Sequence, residues 1–97
     1  MYARVARYRF APERMDDAVR AFTDAARELS DLDGLERGYL FADRDNGVLV
    51  TLTLWGDLQH FEASEVRAAS LRQQACREAD GEMVFVDRCE LELDFGG

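Results

Sequence analysis

The chain has 97 residues, the size of one small domain, and is too short to hold two independent cores. It carries 20 acidic and 12 basic residues, which gives a formal net charge of −8. This balance disfavours binding to nucleic acid or to anionic membranes, because both need clustered cations. All the basic residues are arginine, so chemistry that needs a lysine nucleophile or Schiff base is excluded.

Targeting, metal and cofactor signals are absent from the sequence. The N-terminus has interleaved arginines and no apolar segment, so we expect no signal peptide and no membrane anchor. Two cysteines, Cys76 and Cys89, are too few for a disulfide scaffold or a zinc site. No phosphate loop or dinucleotide fingerprint occurs. We therefore expect a cytoplasmic protein with reduced thiols, no metal and no cofactor.

The first predicted elements are a strand and a helix. Residues Tyr2 to Phe10 alternate between two faces, as in a strand, and Arg4 and Tyr8 share one face. Pro12 suits the first turn of a helix. Apolar residues then recur at helical spacing at Met15, Val19, Phe22, Ala26 and Leu29. Gly34, after Asp33, is the predicted end of this helical unit.

The next predicted element is a hairpin. Residues Leu35 to Ala42 form a strand and Val48 to Trp55 another, and Asp45-Asn46-Gly47 lies between them. An Asn-Gly pair between two apolar runs is a strong hairpin signal, because both residues tolerate positive φ. The second of these strands is apolar on nearly all of both faces.

A second helix and a last strand complete the pattern. Asp57 is a good N-cap, and the helical stripe after it is broken between Phe61 and Val66, so we predict a bend or two pieces. Asp80-Gly81 ends the helix. Residues Met83 to Phe95 alternate and predict a long final strand.

The order of elements predicts a single domain over residues 1–97 with an α+β, ferredoxin-like βαββαβ fold and a four-stranded antiparallel sheet. Two helices cover only one face of such a sheet. The third strand would then expose an apolar patch on the other face, and such patches mark interfaces. We predict a homodimer in which two sheets pack face to face; the alternative is a monomer that tolerates the patch.

Several segments resemble a known family. They are the arginine-rich first strand, Pro12, Leu35–Tyr39 and above all Leu52–Phe61, which reads LTLWGDLQHF. Together they resemble the antibiotic biosynthesis monooxygenase (ABM) domain of the dimeric α+β barrel superfamily, over nearly the whole chain. The resemblance implies a homodimeric barrel with a ligand cavity between sheet and helices in each protomer.

That family includes cofactor-free monooxygenases of phenols and quinols, haem-degrading enzymes and members without established activity. The haem-degrading members carry an Asn on the first strand, a Trp ending the third and a His further on. Trp55 matches the Trp, but the Asn position falls near Ala6 and the His position near Ser64 or Glu65. The absence of this Asn and this His argues against haem degradation.

The resemblance implies that Trp55 and Thr53 face the cavity, where the indole would stack on a flat aromatic ligand. Phe61 and Phe22 would line the same pocket. The alternative for Trp55 is a core residue that anchors the corner between strand and helix, and helical stripes such as that of Phe22 are often core.

Three residues are candidate catalytic groups. Arg4 and Tyr8 share the face that the resemblance turns to the cavity, so Arg4 would orient a phenolate oxygen and Tyr8 donate a hydrogen bond. His60 is the only side chain that ordinarily titrates near neutrality and could act as a base. The alternatives are an ion pair for Arg4, a buried Tyr8 and a solvated helix start for His60.

These residues predict a cofactor-independent monooxygenase acting on an aromatic phenol or quinol. The alternative is a non-catalytic small-molecule-binding or stress-related homodimer of the same fold. A His60 that points to solvent, together with a cavity filled by Phe and Leu side chains, would count against the enzyme.

Overall fold

A computed structural model describes all 97 residues as one four-stranded sheet and three α-helices. The elements are β1 (Tyr2–Arg9), α1 (Met15–Leu29), β2 (Leu35–Asp43), β3 (Val48–Trp55), α2 (Leu58–Ala63), α3 (Glu65–Glu78) and β4 (Glu82–Glu90). The strand order is β2-β3-β1-β4, and every neighbouring pair is antiparallel. This arrangement confirms the predicted ferredoxin-like α+β fold.

The helices lie on one face of the sheet, and the main core is formed between them. Alternation along β1 and β3 turns Ala6, Tyr8 and Leu49 towards the helices, where they are buried. Phe22 of α1 and Ala75 of α3 pack against them in the same cluster. Of the stripe predicted on α1, Met15 and Phe22 are buried and Val19 and Leu29 are partly buried, whereas Ala26 is exposed.

The break in the second helix is confirmed, and so is its cap. Helix α2 ends at Ala63, α3 begins at Glu65, and Ser64 lies between them. The backbone N–H of His60 donates to Asp57 Oδ1 at 2.8 Å, which satisfies a free N–H group of the first turn of α2.

The first helix is shorter than predicted. It ends at Leu29, and the residues before Gly34 form turns. The Ser30 hydroxyl donates to the Arg27 carbonyl at 2.7 Å and helps to terminate the helix there. Gly34 has φ +87°, and a Cβ at this position would lie 2.3 Å from His60 Cβ. Glycine is therefore required by both backbone and packing, although it lies beyond the helix end.

The predicted hairpin forms with a different turn. Residues 44 to 47 make a four-residue loop, and Gly47 alone takes positive φ, at +67°. Asn46 keeps negative φ and donates from its side chain to Asp43 Oδ2 at 2.8 Å. The hairpin prediction is confirmed, and this longer loop needs positive φ only at its last residue.

The last strand is also shorter than predicted, since it ends at Glu90 rather than Phe95. Glu90 pairs with Tyr2, the first residue of β1, so the sheet offers no partner beyond it. One further backbone hydrogen bond joins the Leu91 N–H to the Met1 carbonyl at 2.9 Å. Leu93 and Phe95 then lie exposed in the tail.

The second face of the sheet has no helix against it. The register places Phe41, Val50, Arg7 and Phe85 in one row across this face. Phe41 and Phe85 are exposed, and the Phe41 ring stacks on the exposed ring of Tyr39. The predicted apolar patch is therefore present on the chain. None of the helices is long and apolar enough to cross a membrane.

Candidate functional site: an arginine-walled cavity

A cavity of about 380 Å³ lies between the helix-facing side of the sheet and helices α1 and α3. Strands β1, β2 and β3 form its floor. Its lining residues are Arg4, Phe22, Thr23, Ala25, Ala26, Leu29, Ser30, Leu35, Gly38, Tyr39, Leu40, Thr51, Thr53, Ala68, Leu71 and Arg72. Among these, Ala26 and Ser30 near the end of α1 and Gly38 on β2 are exposed. The mouth of the cavity therefore lies between α1 and β2. The volume falls in the range of small-molecule sites.

The charge of the cavity wall is opposite to the charge of the chain. Arg4 and Arg72 are the only charged residues that line it, although the chain carries 20 acidic residues and a net charge of −8. The remaining side chains that line it are apolar apart from threonine and serine hydroxyls; Tyr39 also borders the cavity, but its ring stacks on Phe41 on the opposite face of the sheet. An apolar pocket with a few convergent polar groups is the usual form of a ligand site.

Arg4 is held in place by the break between α2 and α3. Its Nη2 donates to the Phe61 carbonyl at 3.1 Å and to Glu65 Oε2 at 2.7 Å, and its Nη1 donates to Ser64 Oγ at 3.3 Å. Burial lowers the pKa of Arg4, and Glu65 opposes that shift. Because guanidinium groups stay protonated in proteins, Arg4 remains a cation that is only 3% exposed.

Two aromatic rings flank the Arg4 guanidinium. Its central carbon lies 5.7 Å from the Trp55 ring centroid and 4.6 Å from that of Phe61, within cation–π range. Trp55 is fully buried, and its indole N–H donates to Thr53 Oγ1 at 3.0 Å. Because Thr53 accepts this bond, its own O–H is free to donate towards the cavity.

Arg72 is a lining residue that the sequence analysis missed. It is largely buried, and its nearest carboxylate oxygen, Glu65 Oε1, lies 3.9 Å away, beyond hydrogen-bond distance. Its Nε is buried without any partner. A signal was present, since Arg72 lies four residues after Ala68 and one after Leu71, on the buried side of α3.

Tyr8 lies one layer below the cavity. Its ring is fully buried, 4.5 Å from the Phe22 ring centroid, and its hydroxyl is 3.4 Å from Thr51 Oγ1. Burial raises the pKa of Tyr8 to about 12. Tyr8 is therefore a neutral hydrogen-bond partner of Thr51 at ordinary pH, and Thr51 separates it from the cavity.

His60 lies outside the cavity. Its Nδ1 is 2.7 Å from Asp57 Oδ2, both side chains are about half exposed, and the base of its side chain contacts Gly34. Hydrogen bonding and charge attraction by Asp57 raise the pKa of His60. The same pairing, with the backbone bond first, lowers the pKa of Asp57. This pair forms a local helix cap at the surface.

The structure therefore brings some of the predicted site residues together and separates others. Arg4, Thr53 and Phe22 line the cavity. Trp55 and Phe61 lie behind the wall, against the Arg4 guanidinium. Tyr8 reaches the cavity only through Thr51, and His60 does not reach it. The cavity itself is open and is not filled by Phe and Leu side chains.

Comparison with known proteins gives the family. Residues 1–78 match the family model described as antibiotic biosynthesis monooxygenase, which is most of the chain. The chain belongs to the antibiotic biosynthesis monooxygenase family. This confirms the resemblance carried by the segment around Trp55. A search of curated proteins gives no match.

Solved structures share the fold of this family member. SnoaB, a cofactor-independent oxygenase from Streptomyces nogalater, superposes with a TM-score of 0.77 at 15% identity, covering 99% of this chain and 97% of SnoaB. The monooxygenase from the ActVA-Orf6 gene of Streptomyces coelicolor, solved with the ligand nanaomycin D, gives 0.76 at 16% identity, with 99% and 91% covered. Rv0793 from Mycobacterium tuberculosis gives 0.72 at 16% identity, with 99% and 98% covered.

Proposed function

We propose that this ABM-family protein is a cofactor-independent monooxygenase that oxidises an aromatic phenol or quinol with O₂ in the cavity. The observation that carries the proposal is an open, mainly apolar cavity of about 380 Å³ whose only charged lining groups are Arg4 and Arg72. Family membership supports oxygenase chemistry. SnoaB, a cofactor-independent oxygenase, and the ActVA-Orf6 protein, solved with nanaomycin D, have the same fold.

The proposed substrate lies with its ring among the apolar lining side chains and its oxygen towards the arginines. Phe22, Leu71 and Leu40 supply the apolar contacts. A positive charge near a phenol favours the ionised form, so Arg4 and Arg72 lower the pKa of the bound hydroxyl. The Thr53 hydroxyl, free to donate, stabilises the same oxygen. The proton leaves to water through the mouth of the cavity.

The phenolate supplies the electrons for the reaction. It passes one electron to O₂, and the resulting superoxide and ring radical combine to form a C–O bond. Breaking of the O–O bond and of the C–H bond at that carbon then gives a carbonyl. One phenol and one O₂ thus yield one quinone and one water, with one oxygen atom in each product.

Tyr8 and His60 take different places in this proposal from those first expected. Tyr8, with a pKa of about 12, acts through Thr51 by keeping that hydroxyl oriented, and it stays protonated. His60 makes no contact with the proposed substrate, because it is paired with Asp57 at the surface. Trp55 and Phe61 act on the substrate through Arg4, whose guanidinium they flank.

Oxygen uptake with a panel of naphthols and anthrones tests the proposal, using metal-free protein and labelled O₂ to follow one atom into the product. Ala26 lies at the mouth, so Ala26→Trp blocks the cavity and is expected to lower turnover at least about tenfold, a loss of ~1.4 kcal/mol in transition-state stabilisation. Ala63→Trp, on an exposed part of α2, is the matched control. No uptake by the wild type across the panel contradicts the proposal.

One observation favours the alternative of a non-catalytic binding protein. No Asp, Glu, His or Cys lines the cavity, so no side chain there can serve as a general base. Tight binding of aromatic ligands without any oxygen uptake would support this alternative. Uptake that Ala26→Trp abolishes and Ala63→Trp preserves would exclude it.

We also propose that the uncovered sheet face joins two copies in a homodimer. Exposed Tyr39, Phe41 and Phe85 surround half-buried Val50 and Leu52 on this face. Contiguous exposed apolar surface of this kind is rare on monomers. Light scattering is expected to give twice the 11.0 kDa chain mass, and Phe41→Glu is expected to shift the mass towards one chain. A wild-type mass of 11.0 kDa contradicts this part of the proposal.

A further inference from the structure

We infer that the Arg4–Arg72 wall makes the cavity a binding site for aromatic carboxylates, which it selects over neutral arenes of the same shape. The inference goes beyond the proposed function by assigning Arg72 to a carboxylate of the ligand, which leaves Arg4 and Thr53 to face the phenol oxygen of the proposed substrate. It rests on the same cavity. It is tested by binding alone, so it can fail or hold independently of oxygenase activity.

The charge of the wall favours an anionic ligand. Two guanidinium groups line the cavity, and one carboxylate, Glu65, serves both of them. Glu65 Oε2 lies 2.7 Å from Arg4 Nη2, while Glu65 Oε1 is 3.9 Å from Arg72 Nη2. One positive charge is therefore left over at the wall, in a chain whose net charge is −8. An apolar surrounding strengthens the attraction between that charge and a ligand anion.

The two guanidinium groups also have hydrogen-bonding capacity that the chain leaves unused. Each guanidinium carries five N–H donors, and the Nε atoms of both Arg4 and Arg72 are buried without a partner. The terminal nitrogens of Arg4 already donate hydrogen bonds to Phe61, Ser64 and Glu65. Arg72 has no carboxylate oxygen within hydrogen-bond distance. The terminal nitrogens of Arg72 are therefore the donors left for a ligand, and a carboxylate, which accepts charge-assisted hydrogen bonds from guanidinium, fits this wall.

The remaining lining indicates the chemistry of the rest of the ligand. Beyond the arginines, the lining is mostly apolar, with Phe22, Leu29, Leu40 and Leu71 facing a space of about 380 Å³. Such a lining disfavours acids with several hydroxyl or ammonium groups, because its few hydroxyls cannot pair with all of them. The ligand therefore combines one carboxylate with an apolar ring system.

Calorimetric titration with 2-naphthoate and with the neutral, nearly isosteric 2-naphthamide tests the inference. We expect the wild type to bind the carboxylate at least about tenfold more tightly, since hydrogen bonds to charged groups are the stronger class. Arg72→Gln is expected to lower affinity for 2-naphthoate by about tenfold and to change affinity for 2-naphthamide by less than about twofold.

Two further variants separate charge recognition from a structural effect. Arg67→Gln, on the same helix but exposed and paired with Glu28, is expected to leave both affinities unchanged. Glu65→Gln removes the competing carboxylate and is expected to raise the affinity for 2-naphthoate. Circular dichroism confirms that each variant is folded. Added salt should weaken the naphthoate complex more than the naphthamide complex.

Equal affinity of the wild type for the two ligands overturns the inference. So does an Arg72→Gln variant that loses both ligands equally, because Arg72 would then only shape the cavity. Neither ligand carries a hydroxyl group to be oxidised, so the titration is independent of turnover. Selective binding of 2-naphthoate without oxygen uptake by any phenol supports the inference and contradicts the proposed function.

Discussion

Two polar clusters flank the short helix α2, and they differ in almost every physical respect. At its start, Asp57 and His60 are three residues apart, half exposed and bonded to each other. At its end, the buried Arg4 joins Ser64 and Glu65 from a strand about sixty residues away in sequence. The first cluster caps a helix, whereas the second lies in the wall of the cavity. Residue type alone would have favoured His60 as the functional group.

The contrast shows that position outweighs the ordinary reactivity of a side chain. Histidine is the usual candidate for proton transfer near neutrality. Here His60 is paired locally at the surface, while arginine, which does not exchange its proton, supplies the charge in the cavity. In the proposed function, such a site stabilises an anion and leaves proton release to water.

The largest expected effect comes from removing Arg4. Arg4→Ala leaves Glu65 and the Phe61 carbonyl without their buried partner and opens space between the rings of Trp55 and Phe61. We expect the free energy of unfolding, measured by urea denaturation, to fall by about 3 kcal/mol. A loss below about 1 kcal/mol would show that the cluster is no more important to the fold than a surface ion pair.

A smaller effect is expected at Thr53. Thr53→Val removes the acceptor of the Trp55 indole N–H, which is fully buried, and should lower the free energy of unfolding by about 1–2 kcal/mol. Fluorescence of this single tryptophan reports the change directly. Thr23→Val is the matched control, since the Thr23 hydroxyl donates to a carbonyl of its own helix. Its removal leaves no buried donor without an acceptor. Equal effects of the two substitutions would contradict the role given to Thr53.

The smallest effect on function is expected at His60. His60→Gln should leave ligand affinity and turnover within about twofold, because the side chain does not line the cavity. Its pKa is raised in the folded chain, so its contribution to stability is complete below its unfolded pKa of about 6.5 and is lost as pH rises through the folded pKa. NMR titration of the His60 ring measures this shift, and Asp57→Ala should reduce it. A large loss of turnover with unchanged binding would restore His60 as a base.

Features that depend on neighbouring residues were predicted correctly from the sequence, whereas features that depend on distant residues were not. The Asp57 cap, the break near Ser64 and the bounds of β3 depend on neighbouring residues, and all three are confirmed. The end of β4 depends on where its partner β1 begins, so the predicted strand ran on to Phe95. The local sequence pattern of a strand does not show where its partner strand begins or ends.

The candidate site was predictable only in part. Alternation placed Arg4 with Tyr8 and Thr53 with Trp55, and the family resemblance turned these faces towards the cavity that Arg4 and Thr53 line. The carboxylate that pairs with Arg4 is about sixty residues away in sequence, and no local pattern links the two. Arg72 was not among the predicted site residues, because a charged side chain adds nothing to an apolar stripe. Its position on the buried side of α3 was the signal.

Chemical-shift mapping gives the most direct test that the arginine-walled cavity, rather than the histidine cluster, is the ligand site. The amide resonances of the protein are followed during titration with 2-naphthoate. We expect the largest changes at Thr51, Thr53, Leu71 and Arg72, with the amides of Leu58 and His60 nearly unmoved. The opposite pattern, with the largest changes around His60 and none at Arg72, would contradict the assignment of the site.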